Sequence, residues 1–328
     1  MKKRIVIIFT GGTISMEIDE EINAAVPSPN GDELISRLTD FQSLANITVD
    51  NFLSVPSPYI TIADMLELSK KVKYHLEKNH AEGIIITHGT DTLEETAYFL
   101  DLNIQTDRPI ILVGSMRNTS ELGYDGPSNL VAAIRTAISD EAKNRGVLVV
   151  MNNDINAANE VMKTHTMALD TFKSLEFGPL GIVDHDKVLF YRDSTQKRVH
   201  IPAEQTEEQV VLIKAAAGMD GELIDYSMSR GAKGIVIEAL GRGNLPPQMI
   251  PSIKRALEND IRVVLVSRCP MGRVSDTYGY EGGSKHLKSL GVIFGYNLSG
   301  QKARIKLMLG LGYKNDPNYI RSIFEDQK

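Results

Sequence analysis

Arg4-Ile-Val-Ile-Ile-Phe9, followed at once by Thr10-Gly-Gly-Thr-Ile14, decides how the rest of the chain reads. The apolar run Ile5–Phe9 has no polar alternation, the pattern of a strand buried on both faces of a sheet. Met1-Lys-Lys-Arg4 in front of it gives the outline of a signal peptide. A secretory segment, however, needs roughly 7–15 apolar residues and a small-residue cleavage site. This run is shorter and ends in a threonine–glycine turn. Arg4–Phe9 is therefore expected to be the first strand of the fold.

Gly83–Thr87, Pro109–Gly114 and Gly146–Met151 repeat the same Ile/Val-rich signature. Helical stretches lie between them: Ala63–Lys78, Thr92–Leu102 and Asn129–Ala142. In the first, Met65, Leu66, Leu68, Val72 and Leu76 recur at roughly helical spacing. Strand–helix alternation predicts an α/β fold with a mainly parallel, doubly wound sheet. From Arg192 to Gln209 the chain turns polar, with one proline, and reads as a linker. A second α/β pattern then starts with Val210–Ala215, Gly234–Ala239, a helix over Pro247–Asn259, and Val263–Ser267 before a glycine-rich stretch. The expected organisation is a larger N-terminal catalytic α/β domain over 1–191, a linker over 192–209 and a smaller C-terminal α/β domain over 210–328.

Composition narrows the function. The 328 residues carry a net charge of −6, with 42% hydrophobic and 24% charged side chains. That is an ordinary globular balance. The anionic surface and the absence of like-charge blocks disfavour nucleic acid and membrane partners. No segment approaches the ~18–20 apolar residues of a membrane span. A cytoplasmic location is the default expectation. The single cysteine, Cys269, cannot form an intramolecular disulfide and is expected to be a buried small hydrophobe beside an apolar run.

In open α/β sheets ligands sit at the carboxyl ends of strands. Two strand ends here carry small hydroxyl residues on glycine-bearing turns: Thr10-Gly-Gly-Thr-Ile14 and His88-Gly-Thr-Asp-Thr92. Neither is a phosphate-binding pattern. Alone, Thr13 is also what a turn hydroxyl looks like, and Thr90 and Asp91 what helix caps look like. Lys163, in Val161-Met-Lys-Thr-His-Thr166, changes the balance. A threonine hydroxyl needs a base, and a lysine desolvated beside an aspartate can act as one. Asp91 would orient Lys163, and Lys163 would take a proton from Thr90. His88 and His165 flank these motifs, but no three clustered ligands are evident, so neither a metal nor an organic cofactor is called for.

The two threonine segments resemble the signature segments of the bacterial-type L-asparaginase (asparaginase/glutaminase) family. The likeness continues through Gly114-Ser-Met-Arg117, Asp125-Gly-Pro-Ser-Asn129, Val150-Met-Asn152, Lys163, Thr171-Phe-Lys-Ser174, Phe177-Gly-Pro-Leu180, Gly243-Asn244 and Gln301-Lys-Ala-Arg304, covering almost the whole chain in order. The resemblance implies hydrolysis of L-asparagine to L-aspartate and ammonia. Thr13 matches the nucleophile that forms a β-aspartyl ester. Thr90, Asp91 and Lys163 match a second catalytic group. Gly12 and Gly89 lie on the turns whose N–H groups would stabilise the oxyanion. Ser57 matches a serine on the substrate α-carboxylate, Asp91 the holder of its α-amino group, and Ser115 a small residue near the side-chain amide. Asn244 matches an asparagine given by a neighbouring subunit. A homo-oligomer, a dimer or a dimer of dimers, with sites at subunit interfaces follows from that.

The chain departs from the family pattern in three places: the loop over Met16–Asn30, the glycine-rich stretch Asp276–Ser284 and the position after Ser57. The family's mobile loop normally carries a tyrosine beside the nucleophile, whereas Met16–Asn30 contains none. Tyr278 or Tyr280, in Asp276-Thr-Tyr-Gly-Tyr-Glu-Gly-Gly-Ser284, is expected to supply the phenol from across the interface, with Glu281 touching substrate. Pro58 stands where some members place a glutamine, which points to weaker substrate binding. Three rival readings remain beside asparaginase. They are an asparaginase–glutaminase, an amidotransferase subunit (which needs an extension ahead of the first strand) and a non-catalytic amino-acid-binding regulator.

Overall fold

The computed structural model describes residues 2–19, 24–27, 43–194 and 198–325. The chain divides into two compact units, 1–200 and 201–328.

In the first unit the chain runs through β1 (Arg4–Gly11), β2 (Met16–Asp19), β3 (Ala24–Pro27), β4 (Asn46–Val55), α1 (Ile62–Glu77), β5 (Gly83–Thr87), α2 (Leu93–Asn103), β6 (Ile110–Val113), α3 (Gly126–Ile138) and β7 (Val147–Met151). Shorter strands follow: β8 (Asp154–Ala157), β9 (Met162–Lys163), β10 (Phe172–Lys173), β11 (Gly181–Asp184) and β12 (Lys187–Phe190). An eight-stranded sheet has the order β12-β11-β8-β7-β6-β5-β1-β4. From β4 to β7 neighbouring strands are parallel, and from β7 to β12 they are antiparallel. Ile5, Ile7, Ile8, Ile84, Ile85, Ile111 and Leu112 are wholly buried, which is why the central strands read as unbroken apolar runs. The helices cover them. α1 opens on a capping box in which Thr61 and Asp64 satisfy each other's backbone N–H groups.

The second unit comprises β13 (Val210–Lys214), α4 (Glu222–Ser229), β14 (Gly234–Ala239), α5 (Ile250–Glu258), β15 (Arg262–Ser267), α6 (Ser284–Ser289), β16 (Ile293–Phe294), α7 (Gly300–Tyr313) and α8 (Pro317–Glu325). Its four strands form a parallel sheet in sequence order. Ile235, Ile237, Val263, Leu265, Ile253 and Phe294 form the centre of its core. The expected fold class, a large mainly parallel sheet plus a smaller α/β unit, is the one observed.

Two parts of the fold and one residue escape the sequence pattern. β4 lies at the sheet edge with a mixed, half-exposed face, so it lacks the doubly buried signature. The antiparallel strands over 154–190 are only four residues long or less. Cys269, expected to be buried, is exposed: β15 has ended at Ser267, and the chain has left the core two residues later. Arg192, at the head of the polar stretch, is bound to the Glu160 carboxylate at 2.6 Å and to the Gly178 carbonyl. Among the described residues no helix is long and apolar enough to cross a membrane.

Candidate active site

The parallel pairing of β1 with β5 sets Phe9 opposite Thr87, so the two threonine-bearing turns leave the sheet side by side. β1 ends in Gly11, and Gly12 follows at φ +87° before a single 3-10 turn over Thr13–Ser15. The positive φ suits glycine. So does the space, because a Cβ on Gly12 would run into the Gly89 backbone. A Cβ on Gly89 would in turn lie 2.8 Å from Ser57 Cβ and Oγ. Gly12 is thus stacked backbone to backbone on Gly89, and Gly89 against the Ser57 side chain. The Thr10 hydroxyl fixes the same level by donating to the Thr87 carbonyl at 2.8 Å. Ser57 is only 3% exposed. Its hydroxyl accepts the Asp91 N–H at 3.2 Å, and its carbonyl accepts the Thr92 hydroxyl at 2.9 Å.

Lys163 reaches this place from β9, which is held by antiparallel pairing to β10. Its Nζ donates to Thr90 Oγ1 at 2.9 Å and to Asp91 Oδ1 at 2.7 Å. Thr90 and Asp91 are therefore engaged by the lysine, while α2 begins at Leu93 with Thr92 at its cap. Asp91 keeps most of its side chain in solvent, at 61% exposed, whereas Lys163 is at 16%. A half-exposed pair of this kind adds little stability. What it fixes is geometry. The Lys163 N–H also donates to Glu94 Oε1 at 3.2 Å.

Ser115 is fully buried at the end of β6, with its hydroxyl donating to the Arg117 carbonyl at 2.7 Å. His88 is buried within the second turn. Its Nδ1 faces the Gly89 carbonyl at 2.7 Å, so that nitrogen carries the proton, and Nε2 accepts the Thr96 hydroxyl at 2.9 Å. Burial pulls its pKa down to about 4, with the Gly89 hydrogen bond opposing. The imidazole is a neutral brace under the Gly89 peptide. His165 Nδ1 accepts the N–H groups of Met167 and Ala168, each at 3.0 Å. Among the described residues no group of three or more His, Cys, Asp or Glu is placed to hold a metal ion.

The remaining candidates cluster in the second unit. Asn244 accepts the Ser284 N–H at 3.3 Å through Oδ1, and Leu245 N–H donates to the Gly282 carbonyl at 2.9 Å. These bonds fasten the stretch after β14 to the loop over 276–283. Tyr278 and Tyr280 lean on each other, ring centroids 5.7 Å apart, and are 39% and 56% exposed. Glu281 is exposed beside them.

Residues 4–196 match the family described as asparaginase, N-terminal, and residues 209–324 the glutaminase/asparaginase C-terminal domain. The chain belongs to the asparaginase/glutaminase family. It is 37% identical over 307 residues to an L-asparaginase of Bacillus licheniformis, covering 94% of this chain and 95% of that one. A glutaminase-asparaginase of Acinetobacter glutaminasificans is 34% identical over 341 residues, covering 98% and 99%. The crystal structure of a probable cytoplasmic L-asparaginase from Campylobacter jejuni superposes with a TM-score of 0.86 at 33% identity, covering 98% and 99%. The protein is accordingly an amidohydrolase.

Several residues around this asparaginase-family site went unsignalled by the sequence. Glu94 holds the Lys163 backbone, yet in sequence it is one acid among several in the first turn of a helix. Thr96 is a mid-helix threonine with no motif around it. Thr119 and Tyr124 bond to the backbone that flanks Thr13 across more than a hundred residues. No local pattern reports such a contact. Within Met16–Asn30, residues 16–19 and 24–27 pair as antiparallel strands, and the rest lies outside the described residues.

Proposed function

We propose that this chain is an L-asparaginase with Thr13 as its nucleophile. The carrying observation is the position of Lys163 Nζ, within hydrogen-bond distance of both Thr90 and Asp91 on a turn packed against Gly12. The asparagine α-carboxylate would be held near Ser57 and its α-ammonium by Asp91, presenting the side-chain amide to Thr13 in a near-attack pose. The Thr13 oxygen attacks the amide carbon. N–H groups of the Gly12 and Gly89 turns stabilise the oxyanion. The C–N bond breaks, the nitrogen leaves as ammonia with the threonine proton, and a β-aspartyl ester remains. Water then attacks the ester, giving up its proton through Thr90 and Lys163, and releases aspartate and the free Thr13 hydroxyl. The reaction draws on no metal or organic cofactor.

The polar stretch 192–209 would act as the linker between a catalytic N-terminal domain and the C-terminal one. Asn244, Glu281 and Tyr278 or Tyr280, exposed or anchored at one loop, would complete the site of a second copy, making the working form a homo-oligomer, dimer or tetramer. A cytoplasmic location fits the name of the Campylobacter relative. The second reading is an asparaginase–glutaminase, which the Acinetobacter relative favours. One methylene separates the substrates, worth only about 1–3 kcal/mol in a pocket. Ammonia release from L-asparagine and L-glutamine, with wild type beside Thr13→Ala, tests both. Release from asparagine that the substitution abolishes is the expected result. Comparable turnover of glutamine selects the second reading, and no release from either substrate defeats the proposal.

A further inference from the structure

The loop over 115–125, between β6 and α3, is closed by its own hydrogen bonds. The Asp125 carboxylate accepts the Met116 N–H at 3.0 Å and the Arg117 N–H at 2.9 Å. Glu121 Oε1 accepts the backbone and side-chain N–H groups of Asn118 at 3.0 and 2.7 Å. The Tyr124 N–H donates to the Glu121 carbonyl at 3.2 Å. These bonds tie the two ends of the loop to each other and close its middle.

Two of its residues reach the other threonine turn. Thr119 donates twice to the Met16 carbonyl, through its N–H at 3.1 Å and its hydroxyl at 2.9 Å. The Tyr124 phenol donates to the Ile14 carbonyl. Ile14 and Met16 are both buried, and with Ser15 they follow directly on Thr13. On its other side the Tyr124 ring lies against Gly126, the first residue of α3, where any Cβ would overlap the ring. The phenol is thus wedged between the start of a helix and the turn of Thr13. The same loop begins at Ser115.

We infer that Tyr124, assisted by Thr119, is a positioning residue for Thr13: it holds the nucleophile's turn in place by gripping the Ile14 and Met16 carbonyls. The inference rests on the reading of Thr13 as nucleophile. It gives this chain a phenol beside the nucleophile's backbone, in a sequence whose Met16–Asn30 stretch has none. Tyr124 acts through the backbone and touches no reacting atom. Hydroxyl placement matters because a displacement of about 1 Å can cost roughly a hundredfold in rate.

The test uses the full-length enzyme with Tyr124→Phe, Thr119→Val and Thr119→Ser, each beside Thr13→Ala. Tyr124→Phe should lower kcat for asparagine by roughly ten- to a hundredfold, leave KM within about threefold and leave the melting temperature near that of wild type. Thr119→Val should shift kcat in the same direction by less, and Thr119→Ser should restore it. A kcat within about twofold of wild type for Tyr124→Phe overturns the inference, as does a rise in KM without a fall in kcat, or a loss that vanishes on cooling with refolding. Thr13→Ala separates the layers. If it keeps full turnover, the nucleophile reading itself has failed. If it is inactive while Tyr124→Phe is normal, only this inference has failed.

Discussion

The turns that end β1 and β5 and the loop over 276–283 are built on opposite plans. At the turns, Gly12, Ser57, Gly89, Thr90, Asp91 and Lys163 hold one another. Gly12 stacks on Gly89, Gly89 on Ser57, Ser57 accepts from the Asp91 backbone, and Lys163 spans Thr90 and Asp91. At the loop, the backbone is anchored through Asn244 and Leu245, but Tyr278, Tyr280 and Glu281 project into solvent. A reacting group has to be held against displacement, and the first arrangement does that. A group offered to another molecule has to remain uncovered, and the second arrangement does that. The contrast separates residues that would carry the chemistry from residues that would complete a pocket.

Removing the lysine strains that contrast most. Lys163→Met keeps the length of the side chain but takes the proton acceptor and donor away from Thr90 and Asp91. Loss of a positioned acid–base group costs about 10²–10⁴-fold. We expect kcat for asparagine to fall by that order, with a change in thermal stability of no more than about 1 kcal/mol because the ion pair is half exposed. Steady-state kinetics beside a melting curve reads both. Turnover within tenfold of wild type would mean that the lysine only ties β9 to the turn.

How much of this could be read in the sequence follows the same division. Ile5–Phe9 and Gly83–Thr87 announce themselves because both faces of a central strand are buried, and the threonines beyond them sit where such strands end. Their adjacency rests on sheet order, which short motifs do not encode. Lys163 is 72 residues from Asp91, and no spacing links the two: the need of a threonine for a base pointed to it, and the resemblance matched it. The edge strand β4 and the bonds from Thr119 and Tyr124 are tertiary facts, made by residues that look like ordinary loop and edge composition. Cys269 shows the reverse error: an apolar neighbour in sequence is no guide to burial once the strand has ended.

The two units also differ in the titratable group each buries. In the first, burial takes His88 down to about 4. In the second, Lys306 in α7 is wholly buried beside the Phe324 ring, 5.1 Å from its centroid, and without a hydrogen-bond partner among the described residues. Burial takes it down to about 7. Both groups bind a proton more readily when unfolded, so each adds stability as pH rises, but in different windows. His88 costs stability as pH falls from 6.5 toward 4, by roughly 3 kcal/mol at about 1.4 kcal/mol per pKa unit. Lys306 holds the second unit back below pH 7, and that penalty is relieved between 7 and 10.5. Melting temperatures from pH 4.5 to 10 should therefore show two rising segments. Lys306→Met should flatten the upper segment, raise stability below pH 7 by a few kcal/mol and leave the lower segment unchanged. An unaltered upper segment would place the lysine's proton balance elsewhere.

The smallest expected effect falls on Asn244, where the two plans meet in one side chain. Its Oδ1 is already spent on the Ser284 N–H, so Asn244→Ala removes a hydrogen bond worth about 1 kcal/mol and loosens the loop over 276–283. If holding that loop is its whole role, the melting temperature drops slightly while KM and kcat follow the wild type. If Asn244 also reaches the substrate of a neighbouring copy, its free amide N–H groups are the donors, and KM should rise by roughly fivefold, the equivalent of one such bond. Asn244→Asp distinguishes the two cases. The carboxylate still accepts from Ser284 but can no longer donate, so the loop and the melting temperature recover while KM stays high. Recovery of both would confine Asn244 to its own unit and leave the exposed tyrosines and Glu281 as the residues to examine for a role across an interface.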